Sequence, residues 1–375
     1  MSDKSVIKGR NSAIELLKVI AVLCIICSHS VMLPARNLGY AQFINLKMAT
    51  SDIKFFISAL FLCLGQWGNT VFIVCSAWFL LDSKKVKWKK AINMIVDTFV
   101  ISSVICVCGV LAGVSLPLTT IIEQFFPVIF GQYWFISCYI IFYIIHPLLN
   151  IIISALDKRK MLCVALLSII YLSINALHNF AGLYYNTLIG FICIYFIIAY
   201  MKNYLKRISD SVKVNAVVCI ACTVLFITLM VITNILGLHI GRFSDKLLLW
   251  NDFYDPLIFF QAISLFNIVR NYHFVDKRVN YLSSCSMIVY VINSGMVIEA
   301  GLKPMYYNYI YEKTAYDYLI ISELVFFLML AVGSFLLAIV YRAVLQKAVR
   351  KAVDIICGFV SILYNKFINL IIKWE

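Results

Sequence analysis

Charged residues are scarce in this chain of 375 residues. Only 13% are Asp, Glu, Lys or Arg, whereas an ordinary soluble domain carries about 25%. This scarcity excludes intrinsic disorder, because a disordered chain combines low hydrophobicity with high charge. Apolar residues make up 63% of the chain, and one soluble core could not hide that much apolar surface. A soluble enzyme is therefore excluded as well.

Long apolar runs take the place of the missing charge, and the mean hydropathy is +0.93. A helix needs about twenty apolar residues to cross a bilayer. The runs of this kind lie near residues 12–33, 57–81, 91–113, 133–153, 161–177, 183–201, 214–237, 251–269, 281–300 and 318–341. We therefore predict an all-α, polytopic membrane protein of about ten transmembrane helices.

The distribution of Lys and Arg predicts how these helices are oriented. Of the 32 basic residues, 24 lie at the two termini and in alternate loops, and seven lie in the other loops. This asymmetry is the positive-inside pattern and places both termini in the cytoplasm. The formal net charge of +14 is thereby explained by topology, and no nucleic-acid partner is predicted.

The chain is predicted to form one membrane domain and a tail. Residues 1–345 contain the ten runs. The first run approaches twenty residues and has no small-x-small cleavage site, so we predict an uncleaved first helix rather than a signal peptide. In residues 346–375, polar side chains interrupt the apolar positions at helical spacing. This pattern favours an amphipathic cytoplasmic helix at the membrane surface over an eleventh span.

The thirteen cysteines do not predict a metal site. Cys24 and Cys27, like Cys219 and Cys222, have a spacing that suits metal ligands. Both pairs lie in predicted membrane helices with no second pair nearby, so we interpret them as packing residues.

Three ionisable side chains in the first run form the sharpest functional signal. Lys18 and His29 are eleven residues apart, which places them near one helix face and about 16 Å apart along it. Glu15 lies one turn before Lys18 and can pair with it, lowering the cost of burial. A histidine in this environment is expected to be neutral, so His29 has the chemistry of a general base.

Other polar groups, in the runs and in one loop, have both a structural and a functional interpretation. Asp97 could orient a histidine or balance the nearby lysines. His146 precedes Pro147, which frees a backbone carbonyl and favours a local hydrogen bond. The lysine-rich loop at residues 84–90 suits either topology with anionic lipid contact or a phosphate-rich cytoplasmic ligand met by Lys90 and its neighbours.

Three segments together resemble the membrane acyltransferase-3 family. The first is the helix with Lys18 and His29 separated by ten residues. The second is residues 68–81 (GNTVFIVCSAWFLL), and the third is residues 131–135 (GQYWF) followed by two tyrosines and a proline. The resemblance runs from about residue 11 to residue 345.

This resemblance implies a bacterial plasma-membrane enzyme that moves an acetyl group from cytoplasmic acetyl-CoA to a hydroxyl of a cell-surface glycan or exopolysaccharide. By the resemblance, His29 would be the catalytic base. The residues expected at the acetyl-CoA site are Lys18, Lys89, Lys90 and Trp134, and the supporting residues are Glu15, Ser76, Asp97 and Asn293.

The chain departs from the family pattern at three positions. Asn93 stands where a second basic residue would follow Lys90, which predicts a weaker clamp on the donor phosphates. Ala77 replaces a glycine. Asn293 occupies a place where many members have histidine, and since an amide cannot shuttle protons, its expected role is a hydrogen bond to the substrate.

Two other functions are compatible with the sequence. A transporter or flippase for a glycan or small solute would also place polar groups inside helices, but it would need alternating access. A glycan-assembly scaffold would depend on neither Lys18 nor His29. Consumption of an acyl-CoA thioester distinguishes the enzyme from both.

Overall fold

The computed structural model describes residues 10–31, 53–176, 186–240, 248–303, 305–306 and 318–372. Within these ranges the chain forms helices and their connections and contains no strand, which confirms the predicted all-α fold. Each of the ten predicted runs overlaps a helix. The predicted ends at residues 32–33, 177 and 183–185 lie outside the described residues.

The helices of the first half follow the predicted runs closely. They are α1 (Ser12–Ser30), α2 (Ile53–Leu80), α3 (Trp88–Leu111), the short α4 (Leu118–Phe125), α5 (Trp134–Ala155), α6 (Lys158–Ala176) and α7 (Thr187–Tyr204).

The second half continues in the same way. Its helices are the single turn α8 (Lys206–Ser209), α9 (Val212–His239), α10 (Pro256–Val269), α11 (Lys277–Asn293), a π-helical segment (Ile298–Leu302), α12 (Leu319–Val344) and α13 (Gln346–Ile372).

Seven of the described helices are long and apolar enough to cross a membrane, namely α1, α2, α3, α5, α7, α9 and α12. This number supports a polytopic membrane protein. The predicted runs that fall outside this set correspond to α6, to α10 with only 14 residues and to α11 with 17 residues. The total of ten spans and the cytoplasmic termini stay predictions.

Helix α1 lies at the centre of the bundle, in contact with α2, α10, α11 and α12. The side chain of Asn11 caps its first turn by accepting a hydrogen bond from the Ala13 N–H at 3.0 Å. Helix α2 packs closely against α1 at Gly68, where a Cβ atom would stand 2.5 Å from the Ala21 carbonyl oxygen. Small residues at helix crossings allow such close backbone packing in membranes.

Two helices are irregular near polar side chains. In α5, Pro147 cannot donate to the Tyr143 carbonyl, and the His146 Nδ1 atom lies 2.5 Å from that oxygen instead. The predicted local hydrogen bond of His146 is therefore confirmed. Helix α11 ends at Asn293, and the chain continues past Gly295 into the π-helical segment.

The C-terminal helix α13 follows α12 directly and packs against α3 and α12. One exposed ion pair joins it to α3, with Lys89 Nζ 2.5 Å from Asp354 Oδ1. The predicted tail is thus a helix that rests on the membrane domain.

Candidate active site

His29 and Asn293 meet where two helices end. His29 lies in the last turn of α1 and Asn293 is the last residue of α11. The His29 Nδ1 atom is 2.6 Å from the Asn293 Oδ1 atom, and Asn293 is completely buried. The amide oxygen of Asn293 thus bonds to the histidine, and the expected hydrogen bond from Asn293 to substrate stays a prediction.

This contact matches one tautomer of a neutral imidazole ring. Because the Asn293 carbonyl oxygen can only accept a hydrogen bond, a neutral ring bonded to it carries its proton on Nδ1. The other ring nitrogen, Nε2, is then the basic one. Oriented in this way, His29 has the arrangement of a general base whose partner holds it in place.

His29 lines a cavity of about 240 Å³. Aromatic and uncharged polar side chains make up most of the wall. The residues around it are Ile25, Ser28, His29, Leu62, Gly65, Gln66, Asn69, Trp134, Leu248, Asn251 and Tyr290. This lining contains no Asp, Glu, Lys or Arg among the residues that the structure describes. We call this space the histidine cavity.

Two residues that line the histidine cavity, Asn69 and Asn251, each have a buried Oδ1 atom with no hydrogen-bond partner among the described residues. An unpartnered buried acceptor is costly unless a donor reaches it. The Trp134 ring, which packs 5.4 Å from Phe253 between centroids, adds an aromatic surface to the same wall. Such a set suits a neutral molecule rich in hydroxyl groups.

A second cavity, of about 420 Å³, is cationic. Four basic side chains and one carboxylate belong to its lining, namely Arg10, Lys18, Lys90, Arg350 and Asp97. Ser76 lines it as well, beside aromatic side chains from α2 and α5. This space, which we call the cationic cavity, suits an anionic ligand.

Glu15 forms ion pairs with two basic residues, one on α1 and one just before it. Its Oε1 atom lies 3.1 Å from Lys18 Nζ and 2.7 Å from Arg10 Nε, so the predicted pair with Lys18 is present. Its Oε2 atom accepts a hydrogen bond from the Ser283 hydroxyl on α11. Because Glu15 is buried, these three partners stabilise its carboxylate.

On the opposite wall, Lys90 and Asp97 belong to α3. The Lys90 ammonium group lies 4.8 Å from the centre of the Tyr143 ring, in cation–π geometry. Asp97 is buried and accepts hydrogen bonds from Tyr341 Oη and Arg350 Nη2, both at 2.7 Å. Asp97 was predicted either to orient a histidine or to balance the nearby lysines. Its contacts match the balancing of a positive charge, although the cation is Arg350 rather than a lysine.

Ile25 and Tyr290 line both cavities. Ile25 is on α1 between Lys18 and His29, and Tyr290 is on α11 one turn before Asn293. Both side chains are buried. These two side chains therefore lie between the cationic cavity and the imidazole ring.

The structure groups the predicted site residues into two places. Lys18, Ser76, Lys90 and Asp97 line the cationic cavity, and His29 lines the histidine cavity with Asn293 behind it. Trp134, expected near the donor, lines the histidine cavity instead. Lys89 lies outside both linings and pairs with Asp354.

Arg350, Asn69 and Asn251 line the two cavities but were not predicted from the sequence. Asn69 falls inside the 68–81 segment, which indicated only the family resemblance. No signal short of a contact prediction would have joined Arg350 to Asp97, 253 residues apart. Within the described ranges, no group of three or more His, Cys, Asp or Glu side chains could hold a metal ion.

Comparison with known proteins adds one finding. Residues 11–343 match the sequence model of a family described as an acyltransferase domain. No curated protein and no solved structure matches the chain significantly.

Proposed function

The chain belongs to this acyltransferase family, and on that premise we propose that it is a membrane O-acetyltransferase that acts on glycans. The donor is cytoplasmic acetyl-CoA and the acceptor is a hydroxyl of a cell-surface glycan or exopolysaccharide. The observation that carries the proposal is the pair of cavities, one cationic and one uncharged, on either side of Ile25 and Tyr290.

The cationic cavity is the proposed donor site. Coenzyme A carries several phosphate groups, and Arg10, Lys18 and Lys90 supply the positive charge that such a ligand needs. The thioester end of a bound donor would approach His29 past Ile25 and Tyr290. Binding the donor in this way holds the reactive carbonyl near the base.

The histidine cavity is the proposed acceptor site. Asn69 and Asn251 supply amide side chains that can hydrogen-bond to sugar hydroxyls, and Trp134 offers an aromatic face to a sugar ring. The absence of charged side chains from the described lining favours a neutral region of the glycan.

In the proposed reaction, His29 Nε2 takes the proton of the attacking hydroxyl while the hydroxyl oxygen bonds to the acetyl carbonyl carbon. The carbon–sulfur bond then breaks, and coenzyme A leaves as a thiolate. The proton held by His29 neutralises this thiolate, which restores the imidazole. An acetyl-histidine intermediate would give the same products by another step: Nε2 attacks the thioester carbon as the thiolate leaves, the acetyl group then passes to the hydroxyl oxygen, and the hydroxyl proton neutralises the thiolate.

We further propose that the protein lies in a bacterial plasma membrane, with the basic loops and the cationic cavity facing the cytoplasm. Anionic lipids would contact the lysines of residues 84–90. Neither a metal ion nor a nucleic-acid partner is proposed.

The test uses the natural acceptor, so that the acceptor need not be known beforehand. A strain deleted for the gene is complemented with wild type, His29→Ala or His273→Ala, and the O-acetyl content of the surface glycan is measured by NMR. His273 is exposed in a loop and serves as the matched control. We expect wild type and His273→Ala to restore O-acetylation and His29→Ala to fail at equal protein abundance.

Purified protein in nanodiscs then reports on the donor. Wild type is expected to release coenzyme A from acetyl-CoA when extracted glycan is added, and His29→Ala is expected to lose about 10²- to 10⁴-fold in rate. Glycan movement across the membrane without thioester consumption would instead support a transporter. Equal O-acetylation in the deleted and complemented strains would overturn the proposed acceptor.

A further inference from the structure

Helix α13 contributes to the cationic cavity although it lies beyond the family match. The match ends at residue 343, and α13 begins at Gln346. Two side chains of this helix, Gln346 and Arg350, belong to the lining of the cavity. The wall of the proposed donor site is therefore completed by a segment outside the acyltransferase domain.

Two residues of α3 hold the Arg350 guanidinium group in place. Its Nη2 atom donates to Asp97 Oδ2 at 2.7 Å, and its Nη1 atom donates to the Asn93 amide oxygen. A guanidinium group has five donor hydrogens in a rigid fork, and these two bonds use two of them. The side chain is 32% exposed, so a ligand can reach it from the cavity.

Asp97 is itself fixed by a second helix. Its other oxygen, Oδ1, accepts a hydrogen bond from the Tyr341 hydroxyl on α12. The carboxylate thus joins α3, α12 and α13 at one buried point. With both of its oxygens engaged, Asp97 positions the guanidinium group and partly balances its charge.

We propose that Arg350 is a binding residue for a phosphate group of the acyl donor, supplied to the cationic cavity by helix α13. The inference rests on the proposed function for the identity of the donor. A planar guanidinium group matches the oxygens of a phosphate in paired hydrogen bonds, which an ammonium group cannot reproduce. At the position of Asn93, α3 offers an amide, and the cation at that point comes from α13 instead.

The test compares ligands with and without phosphate. Binding of coenzyme A and of pantetheine, which lacks the phosphates, is measured by calorimetry on the full chain in nanodiscs. The variants are Arg350→Ala, Arg350→Lys and the control Lys351→Ala, which removes an exposed charge from the next position. We expect Arg350→Ala to weaken coenzyme A binding by about 10- to 100-fold, the range of a charge-assisted hydrogen bond.

Pantetheine binding is expected to stay unchanged in Arg350→Ala, and Arg350→Lys is expected to recover only part of the loss. Lys351→Ala is expected to bind both ligands as wild type does. Equal weakening of both ligands by Arg350→Ala, or no weakening of either, would overturn the inference.

Asp97→Asn separates binding from a merely structural role. If Arg350 only fastened α13 to α3, removing its carboxylate partner would weaken coenzyme A binding as much as Arg350→Ala does. We expect the opposite, because the amide oxygen of asparagine can still accept a hydrogen bond from the guanidinium group while the opposing negative charge is gone: affinity should be equal to or higher than that of wild type.

Turnover distinguishes this inference from the proposed function. Wild type that binds coenzyme A through Arg350 but transfers no acetyl group would contradict the proposed function and leave the binding residue established. Wild type that transfers acetyl groups while Arg350→Ala keeps its affinity would contradict only the inference. Wild type that fails to bind coenzyme A would contradict both.

Discussion

The imidazole of His29 and the amide of Asn293 join the end of α1 to the end of α11, with Nδ1 and Oδ1 2.6 Å apart. The two residues are 264 positions apart in the chain. Helix α11 does not continue regularly beyond this point, and its last residue, Asn293, contacts the imidazole ring. The orientation of His29 therefore depends on where α11 ends.

Replacing Asn293 tests this positioning role. We expect Asn293→Leu to lower kcat by about 10- to 100-fold, as loss of a histidine-orienting partner does elsewhere, and to leave the KM for acetyl-CoA unchanged. In Asn293→Asp a carboxylate favours the protonated ring, so the acid limb of the kcat/KM profile should move to higher pH. Steady-state kinetics across pH would check both, and a rise in KM with constant kcat would contradict them.

Ile25 is expected to limit the length of the acyl group. Because it lines both cavities, Ile25→Ala should widen the passage and raise the ratio of kcat/KM for butyryl-CoA over acetyl-CoA by about tenfold. The ratio is independent of the amount of active enzyme. Ile26→Ala, at a buried neighbour outside both linings, is the control and should leave the ratio as in wild type.

Gly68 is expected to be essential for the contact between α1 and α2. In Gly68→Ala the new methyl group meets the Ala21 carbonyl oxygen at 2.5 Å, and a backbone atom cannot move aside without shifting the helix. Overpacking of this kind costs about 1–3 kcal/mol. Gly333→Ala, where a Cβ atom meets nothing within 4 Å, should unfold at the wild-type temperature in detergent, and equal stability of the two variants would refute the expectation.

Asp276 is expected to make the stability of α11 depend on pH. Hydrogen bonds from the backbone N–H groups of Val279 and then Arg278 lower the pKa of its carboxyl below the usual 3.8. A lowered folded-state pKa contributes stability above the unfolded pKa, and this contribution is lost as the pH falls through the folded value. Asp276→Ala should therefore melt below wild type at pH 7, with a smaller difference near pH 3.

Asp276→Asn provides the control for that measurement, because asparagine keeps the cap without its charge. Its melting temperature relative to Asp276→Ala should not vary with pH. A wild-type advantage over Asp276→Ala that is the same at both pH values would contradict the assigned cause.

The sequence predicted the parts of the fold that depend on local pattern. Each apolar run located a helix, with ends that differ from the run by up to about seven residues, since the length and composition of a membrane helix are local properties. The short α4 lies in no run. The pair of Glu15 and Lys18 followed from helical spacing, and the bond of His146 followed from the proline beside it. These last two features are determined within four residues along the chain.

The parts that the sequence did not reveal depend on distant contacts. Trp134 was associated with the donor by its motif, whereas its ring packs against Phe253 and lines the histidine cavity. The tail was interpreted from its amphipathic pattern, which says that one face is polar but not what that face meets. The contact of Arg350 with Asp97 depends on how α13 packs against α3, which no local pattern contains.

The barrier formed by Ile25 and Tyr290 has an electrical consequence for the proposed reaction. Moving one elementary charge through a potential of 100 mV takes about 2.3 kcal/mol. Because coenzyme A carries negative phosphate groups, the free energy of moving it across the membrane would depend on the membrane potential. Here only an acetyl group passes outward and one proton returns, and the exchange carries no net charge. Glycan modification would then reach the same equilibrium in energised and de-energised cells.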